Sequence, residues 1–162
     1  RVLEGWNPTA ADDSGFYGDN STFGGFGYGY SYNAGHVLHN AQFGTTNRGD
    51  GVSPDDIVGH ALDLDNGKFY MGYDGTFFTS GDPTSGSTGT GAIATLDATD
   101  LSFNIIPALT NATNVTYYQM NFGNPAYAIA SSNADGDGFG NFEFAVPSGY
   151  FSWCTKNLAE YG

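Results

Sequence analysis

Basic residues are nearly missing from this chain. Two Lys and two Arg stand against 14 Asp and three Glu, giving a formal net charge of −13 over 162 residues. A nucleic-acid binder needs a Lys/Arg footprint to displace phosphate counterions, and an anionic membrane surface needs a basic patch, so both partners are excluded. One cysteine, Cys154, rules out an internal disulfide, a redox pair and a cysteine-rich zinc cluster. No apolar stretch approaches the length of a membrane span. Helix-forming pairs of Glu and Lys are scarce as well, and no run shows helical spacing, so the expected class is all-β.

What the chain has in abundance is glycine and aromatic residues. Its 25 Gly, 13 Phe and 11 Tyr describe a sheet protein with many tight turns. The length suits one domain spanning residues 1–162, with enough chain to bury a core unaided. Most Asp residues lie beside Gly, Asn, Ser or Pro, where their side chains cap turns, so much of the acidity is turn chemistry.

The segment from Asp55 to Phe78 reads as a hairpin. Ile57 to Leu64 forms an apolar arm, Asp65-Asn66-Gly67 supplies residues that tolerate positive φ, and Phe69, Met71 and Tyr73 alternate with Tyr70 and Gly72 in the second arm. Asp74-Gly75 marks a second turn. This pattern resembles the central hairpin of the SPRY family. Asn121-Phe122-Gly123 with Tyr127 is similar to that family's late strand, and Pro147 to Leu158 resembles the closing segment of SPRY-like proteins of marine bacteriophages. The resemblance implies an antiparallel β-sandwich of SPRY or concanavalin A-like type. SPRY domains usually open with a strand of the type W-Y-x-E, and none precedes Arg1. The expectation is a fragment, or a domain whose first strand comes from elsewhere.

Other segments carry weaker signals. Phe26, Tyr28, Tyr30 and Tyr32 alternate with Gly27, Gly29 and Ser31, the pattern of a strand with one aromatic face. His36 to Asn40 reads as the next strand, which places His36 and His39 on opposite faces and defeats a shared metal site. His60 reads as a hydrogen-bonded structural imidazole within its apolar strand. Ser80 to Gly91, built from Gly, Ser, Thr and Pro, reads as a polar surface excursion without packing of its own. Further strands are expected at Leu101 to Leu109, Val115 to Phe122, Phe142 to Val146 and Phe151 to Thr155.

The loop Asn133 to Glu143 places oxygen side chains at Asn133, Asp135 and Asp137 with Gly138 next, matching the first six positions of an EF-hand-like calcium loop. The bidentate acid expected at the twelfth position is displaced, since Glu143 falls one residue early and Phe144 takes its place. Asn133, Asp135, Asp137 and Glu143 are therefore the candidate Ca²⁺ ligands, against the alternative of an Asp-Gly turn. Catalysis finds little support. Glu4, Glu143 and Glu160 stand far apart, and Pro147-Ser148-Gly149 lacks the glycine pattern of a nucleophile elbow. Trp6 and Tyr17, aromatic residues beside Asp-rich loop sequence, are the candidate binding residues.

Together with the resemblance, these features imply a non-enzymatic recognition or structural module in a phage virion fibre or capsid appendage, located on the virion or outside the cell. Its partner would be a host surface glycan or protein, or neighbouring virion subunits. Two alternatives stand beside it: a purely structural subunit that assembles as a homo-oligomer, and a calcium-dependent secreted lectin-like protein.

Overall fold

The computed structural model describes residues 56–96 and 119–161, and the backbone of three strands between residues 28 and 47. These three are β1 (Tyr28–Ser31), β2 (His36–His39) and β3 (Gln42–Asn47), an antiparallel sheet in chain order. Ser31 pairs with His36 and Tyr28 with His39, so the alternating Tyr/Gly segment and the His-Val-Leu-His segment are neighbours. The β2–β3 register shifts between His36 and Leu38, an irregularity that bends one strand against the other. Phe26 and Tyr32 lie outside the described residues, as do the strand expected at Leu101 to Leu109 and residues 115–118.

A second antiparallel sheet is built around the hairpin. Strands β4 (Val58–Asp63) and β5 (Lys68–Tyr73) pair along their whole length, from Val58 with Tyr73 to Asp63 with Lys68. The reversal comes one residue earlier than the sequence pattern suggests. Asp63 is the cause: its carboxylate accepts from the Asn66 amide at 3.0 Å and from Asn66 Nδ2 at 2.8 Å, folding residues 64–67 into the loop while Gly67 adopts φ +61°. At the far end Asp74 and Gly75 both have positive φ, +48° and +78°, the pair of left-handed residues that a two-residue hairpin turn demands. That turn delivers β6 (Thr76–Phe77) onto one end of β5, and β7 (Ala94–Thr95) pairs with the other end.

Strand β5 is therefore central, and both of its faces are covered. Met71 packs with Phe78 and Ile93 in the core, flanked by Val58, Phe69 and Tyr73. On the opposite face Tyr70 is wholly buried, with Ala61 beside it in register and Phe77 edge-on at 6.3 Å. Burial of this kind contributes about 1.5–3 kcal/mol for each large side chain. His60 stands opposite Met71 in register, with its ring edge-on to Phe69 at 6.0 Å; part of the residue meets solvent, while burial among its neighbours lowers the imidazole pKa to about 4.

The polar segment 80–91 is structured, contrary to its composition. Asp82 caps a 3-10 segment, Pro83–Thr88, by accepting from the Thr84 amide at 2.9 Å and the Thr84 hydroxyl at 2.6 Å. Ser85 donates to the Asp82 carbonyl and accepts from the Thr90 amide, Asp82 donates to the Thr90 carbonyl, and Thr79 donates to that of Gly91. Small side chains that bond to the nearby backbone replace the apolar contacts that this segment lacks. Pro83 is buried, and its carbonyl accepts from the Tyr150 hydroxyl at 2.9 Å, which ties the segment to the C-terminal part.

That C-terminal part departs furthest from expectation. No strand forms at 119–122, 142–146 or 151–155; the extended chain there makes one isolated pairing, Asn133 with Phe142. Thr155 instead opens a short helix, α1 (Thr155–Tyr161), in a sequence whose Lys, Leu, Ala and Glu are good helix formers. Seven residues are too few to show helical periodicity. The described residues are thus mostly antiparallel strands with few helices, a β-rich fold.

Gly59 and Gly72 face each other in the β4–β5 ladder but differ in surroundings. A Cβ on Gly72 would collide with the backbone of Thr76 and Phe77, whereas one on Gly59 meets nothing within 4 Å. Gly72→Ala is expected to cost about 2–4 kcal/mol, and Gly59→Ala to change stability by less than about 1 kcal/mol. Chemical denaturation of both variants checks the contrast.

Candidate functional site

The loop Asn133 to Glu143 closes as a small hairpin. Asn133 and Phe142 exchange backbone bonds at 2.8 Å, and inside them the Asp135 amide donates to the Phe139 carbonyl while the Gly138 amide donates to that of Asp135. This reversal turns the Asp135 side chain inward, where the residue is 8% exposed. Its Oδ1 accepts from the amides of Asp137 (3.1 Å) and Phe139 (2.9 Å). Its Oδ2 accepts from the Ser152 amide (2.8 Å), the Ser152 hydroxyl (2.7 Å) and Asn157 Nδ2 (2.8 Å). One carboxylate thereby joins the loop, the extended segment 150–154 and α1.

Burial alone would push the Asp135 carboxyl up. The bonds from Ser152, Phe139 and Asn157 outweigh that cost and hold it well below the usual carboxylate range. The partners are also fixed among themselves: Asn157 Nδ2 donates to the Ser152 carbonyl at 2.8 Å and to its hydroxyl oxygen at 3.0 Å. Ser152 Oγ lies 3.4 Å from Cys154 Sγ.

The other three candidate ligands serve elsewhere. Glu143 accepts from the Ala130 amide at 2.7 Å and the Ser131 hydroxyl at 2.8 Å, bonds that lower its carboxyl from the ordinary value. Asn133 Nδ2 donates to the carbonyls of Phe142 and Glu143. Asp137 is exposed. A hard cation needs several oxygens converging at about 2.4 Å, and among the described residues no group of three or more His, Cys, Asp or Glu side chains is placed to hold one. As arranged, the Asp135 oxygens coordinate N–H and O–H donors, and a cation there would have to displace them. Trp6 and Tyr17 lie outside the described residues.

Beside this lock the structure gathers side chains from two of the segments expected to form strands. Gly123 approaches Gly140 so closely that a Cβ on it would lie 3.1 Å from the Gly140 Cα and 3.6 Å from the Ser152 Cβ. Asn121 fixes the approach: its Nδ2 donates to the Asn141 carbonyl, and its Oδ1 accepts from the Gly123 amide, both at 2.8 Å. Segments 121–123, 140–142 and 152–154 are thus packed together. Phe122 and Trp153 meet edge to face, centroids 6.2 Å apart and planes at 84°, yet remain 39% and 38% exposed. Met120 and Phe151, two residues from each, are 42% and 44% exposed. Lys156 Nζ lies 5.5 Å from the centroid of the Phe139 ring. The period-two pattern of Phe151, Ser152 and Trp153 was readable in the sequence, but buried Ser152 facing Asp135 sends both aromatic residues to solvent.

No family model matches the chain, and neither the curated proteins nor the solved structures contain a significantly similar one.

Two outcomes follow for the Asp135 lock. Because its folded-state pKa is depressed, its stabilisation is complete above the unfolded carboxylate value near 4 and is lost as the pH falls below it. Asp135→Asn is therefore expected to be destabilised at pH 7 by about 2–4 kcal/mol and to lose less further stability than the parent between pH 5 and pH 2, as thermal melts at stepped pH would show. The melting temperature in millimolar calcium is expected to equal that in chelator. A clear rise in calcium would instead assign the loop to a cation.

Proposed function

We propose that this chain is a non-enzymatic recognition module, an antiparallel β-sandwich of SPRY or concanavalin A-like type carried by a phage virion as a fibre or capsid-appendage protein. It acts by contact with a host surface glycan or protein. The observation that carries this reading is a set of large apolar side chains kept in solvent on a hydrogen-bonded frame: Phe122 and Trp153 meet edge to face, and Met120 and Phe151 are exposed two residues from each, on segments that Asp135 and Asn121 fix. Exposed apolar surface costs free energy unless a partner uses it, and contiguous patches on soluble proteins commonly mark binding sites.

The scaffold side of the proposal draws support from the antiparallel hairpin, which forms over the segment that resembles the SPRY family. The acidic surface, with a net charge of −13, supports solubility on a particle exposed to solvent and disfavours polyanionic targets.

Fluorescently labelled protein is expected to stain some members of a panel of bacterial cells and to be competed by their extracted surface polysaccharide or by protease treatment of the cells. Failure to bind any of the cells or extracts would overturn the recognition reading.

A further inference from the structure

We propose that the perpendicular pair Phe122–Trp153 is a stacking site for a sugar ring of an uncharged glycan. The inference rests on the recognition reading above and gives it a location and a ligand class.

Size narrows the occupant first. At the exposures given, four side chains of roughly 150–250 Å² each leave roughly 250–400 Å² in water, at most about half of the roughly 800 Å² that each partner contributes to a stable protein interface. Alone, that apolar area is smaller than a second copy of the chain or a folded protein commonly buries. A ligand of two or three rings would find enough.

Shape and charge narrow it further. Planes at 84° present the face of one ring beside the edge of the other. Such a corner suits a saturated ring, whose C–H groups carry partial positive charge and are attracted to the negative face of an aromatic ring. The exposed polar residues that flank this segment, Gln119 and Asn124, are uncharged donors and acceptors suited to hydroxyl groups. The nearby carboxylate of Asp135 is buried beneath and committed to five donors, while Lys156 is placed over Phe139. Neither supplies an ionic contact to the corner. With four basic residues in the whole chain against 17 acidic ones, a polyanionic glycan is repelled at long range.

The corner is also held ready in advance. Gly123 and Gly140 allow the two segments to approach, and the Asp135 bonds to Ser152 fix the residue preceding Trp153. Rings that lose little freedom on binding retain more of the contact energy as affinity.

Saturation-transfer NMR and tryptophan fluorescence on the full chain test this with cellohexaose, maltohexaose and dextran as neutral probes, and alginate and polygalacturonate as anionic ones. At least one neutral probe is expected to bind and neither anionic one. Phe122→Ala and Trp153→Ala should each weaken binding tenfold or more, while Trp153→Phe, which keeps an aromatic face, retains most of it. Phe144→Ala serves as the control, because Phe144 is exposed against the Gly75 turn, and is expected to bind as the parent does. Melting temperatures establish that the variants are folded. Cell staining that persists with no neutral probe bound, or glycan binding indifferent to both alanine variants, overturns the site and leaves recognition standing. Absence of both staining and glycan binding overturns recognition itself. A dimer in sedimentation that Trp153→Ala dissociates assigns the corner to a second copy and overturns the inference.

Discussion

Among the described residues the C-terminal part has almost no ladder hydrogen bonds, and the carboxylate of Asp135 takes over their task. Three peptide amides, a hydroxyl and a side-chain amide converge on its two oxygens. Each is a charge-assisted bond in a site largely closed to water, where such bonds contribute more than neutral ones. The arrangement also solves an accounting problem. Amides of an irregular segment need partners as much as those of a strand do, and one anion can serve several at once. Placement of Ser152 follows from this, and with it the outward direction of Phe151 and Trp153.

The N-terminal side of the described structure depends on a different constraint, the burial of β5 on both faces. A two-sided strand needs cover from elements that the hairpin itself cannot supply. Phe78 and Ile93 cover one face, Ala61 and Phe77 lie with Tyr70 on the other, and the Pro83–Thr88 segment lies close by, with the Tyr70 hydroxyl 3.4 Å from Ser85 Oγ. Tyr150 then donates to the Pro83 carbonyl, so the two parts share a hydrogen bond as well as the contact of Phe144 with the Asp74–Gly75 turn.

Legibility in the sequence followed the range of the interactions. The hairpin could be read because its determinants are local: an apolar first arm, alternation in the second, Asn66-Gly67 between them and Asp74-Gly75 after them. Its exact reversal point was missed because Asp63 captures Asn66 through its side chain, a choice that no period reveals. Order in Ser80 to Gly91 was hidden for a related reason, since Asp82 and Ser85 stabilise it by bonds that composition does not count. The calcium pattern at Asn133 to Glu143 pointed to this loop, yet its oxygens do not converge there, and three of the five donors to Asp135 come from Ser152 and Asn157, 17 and 22 residues away. Phe122 and Trp153 were readable as a strand pattern, but which side faced water depended on that same distant bond.

Lys68 and Lys156 are the two sites in the described region where a protease selective for lysine or arginine could cut. One is paired within β5 between neighbouring strands, with its ammonium donating to Thr95, and the other lies in the first turn of α1. Scission at either needs the local element to unravel, so its rate measures the opening free energy of that element rather than surface access. The protein thus carries two internal gauges of fluctuation, one in the central hairpin and one at the edge of the Asp135 lock, separated by a long stretch that such an enzyme cannot enter.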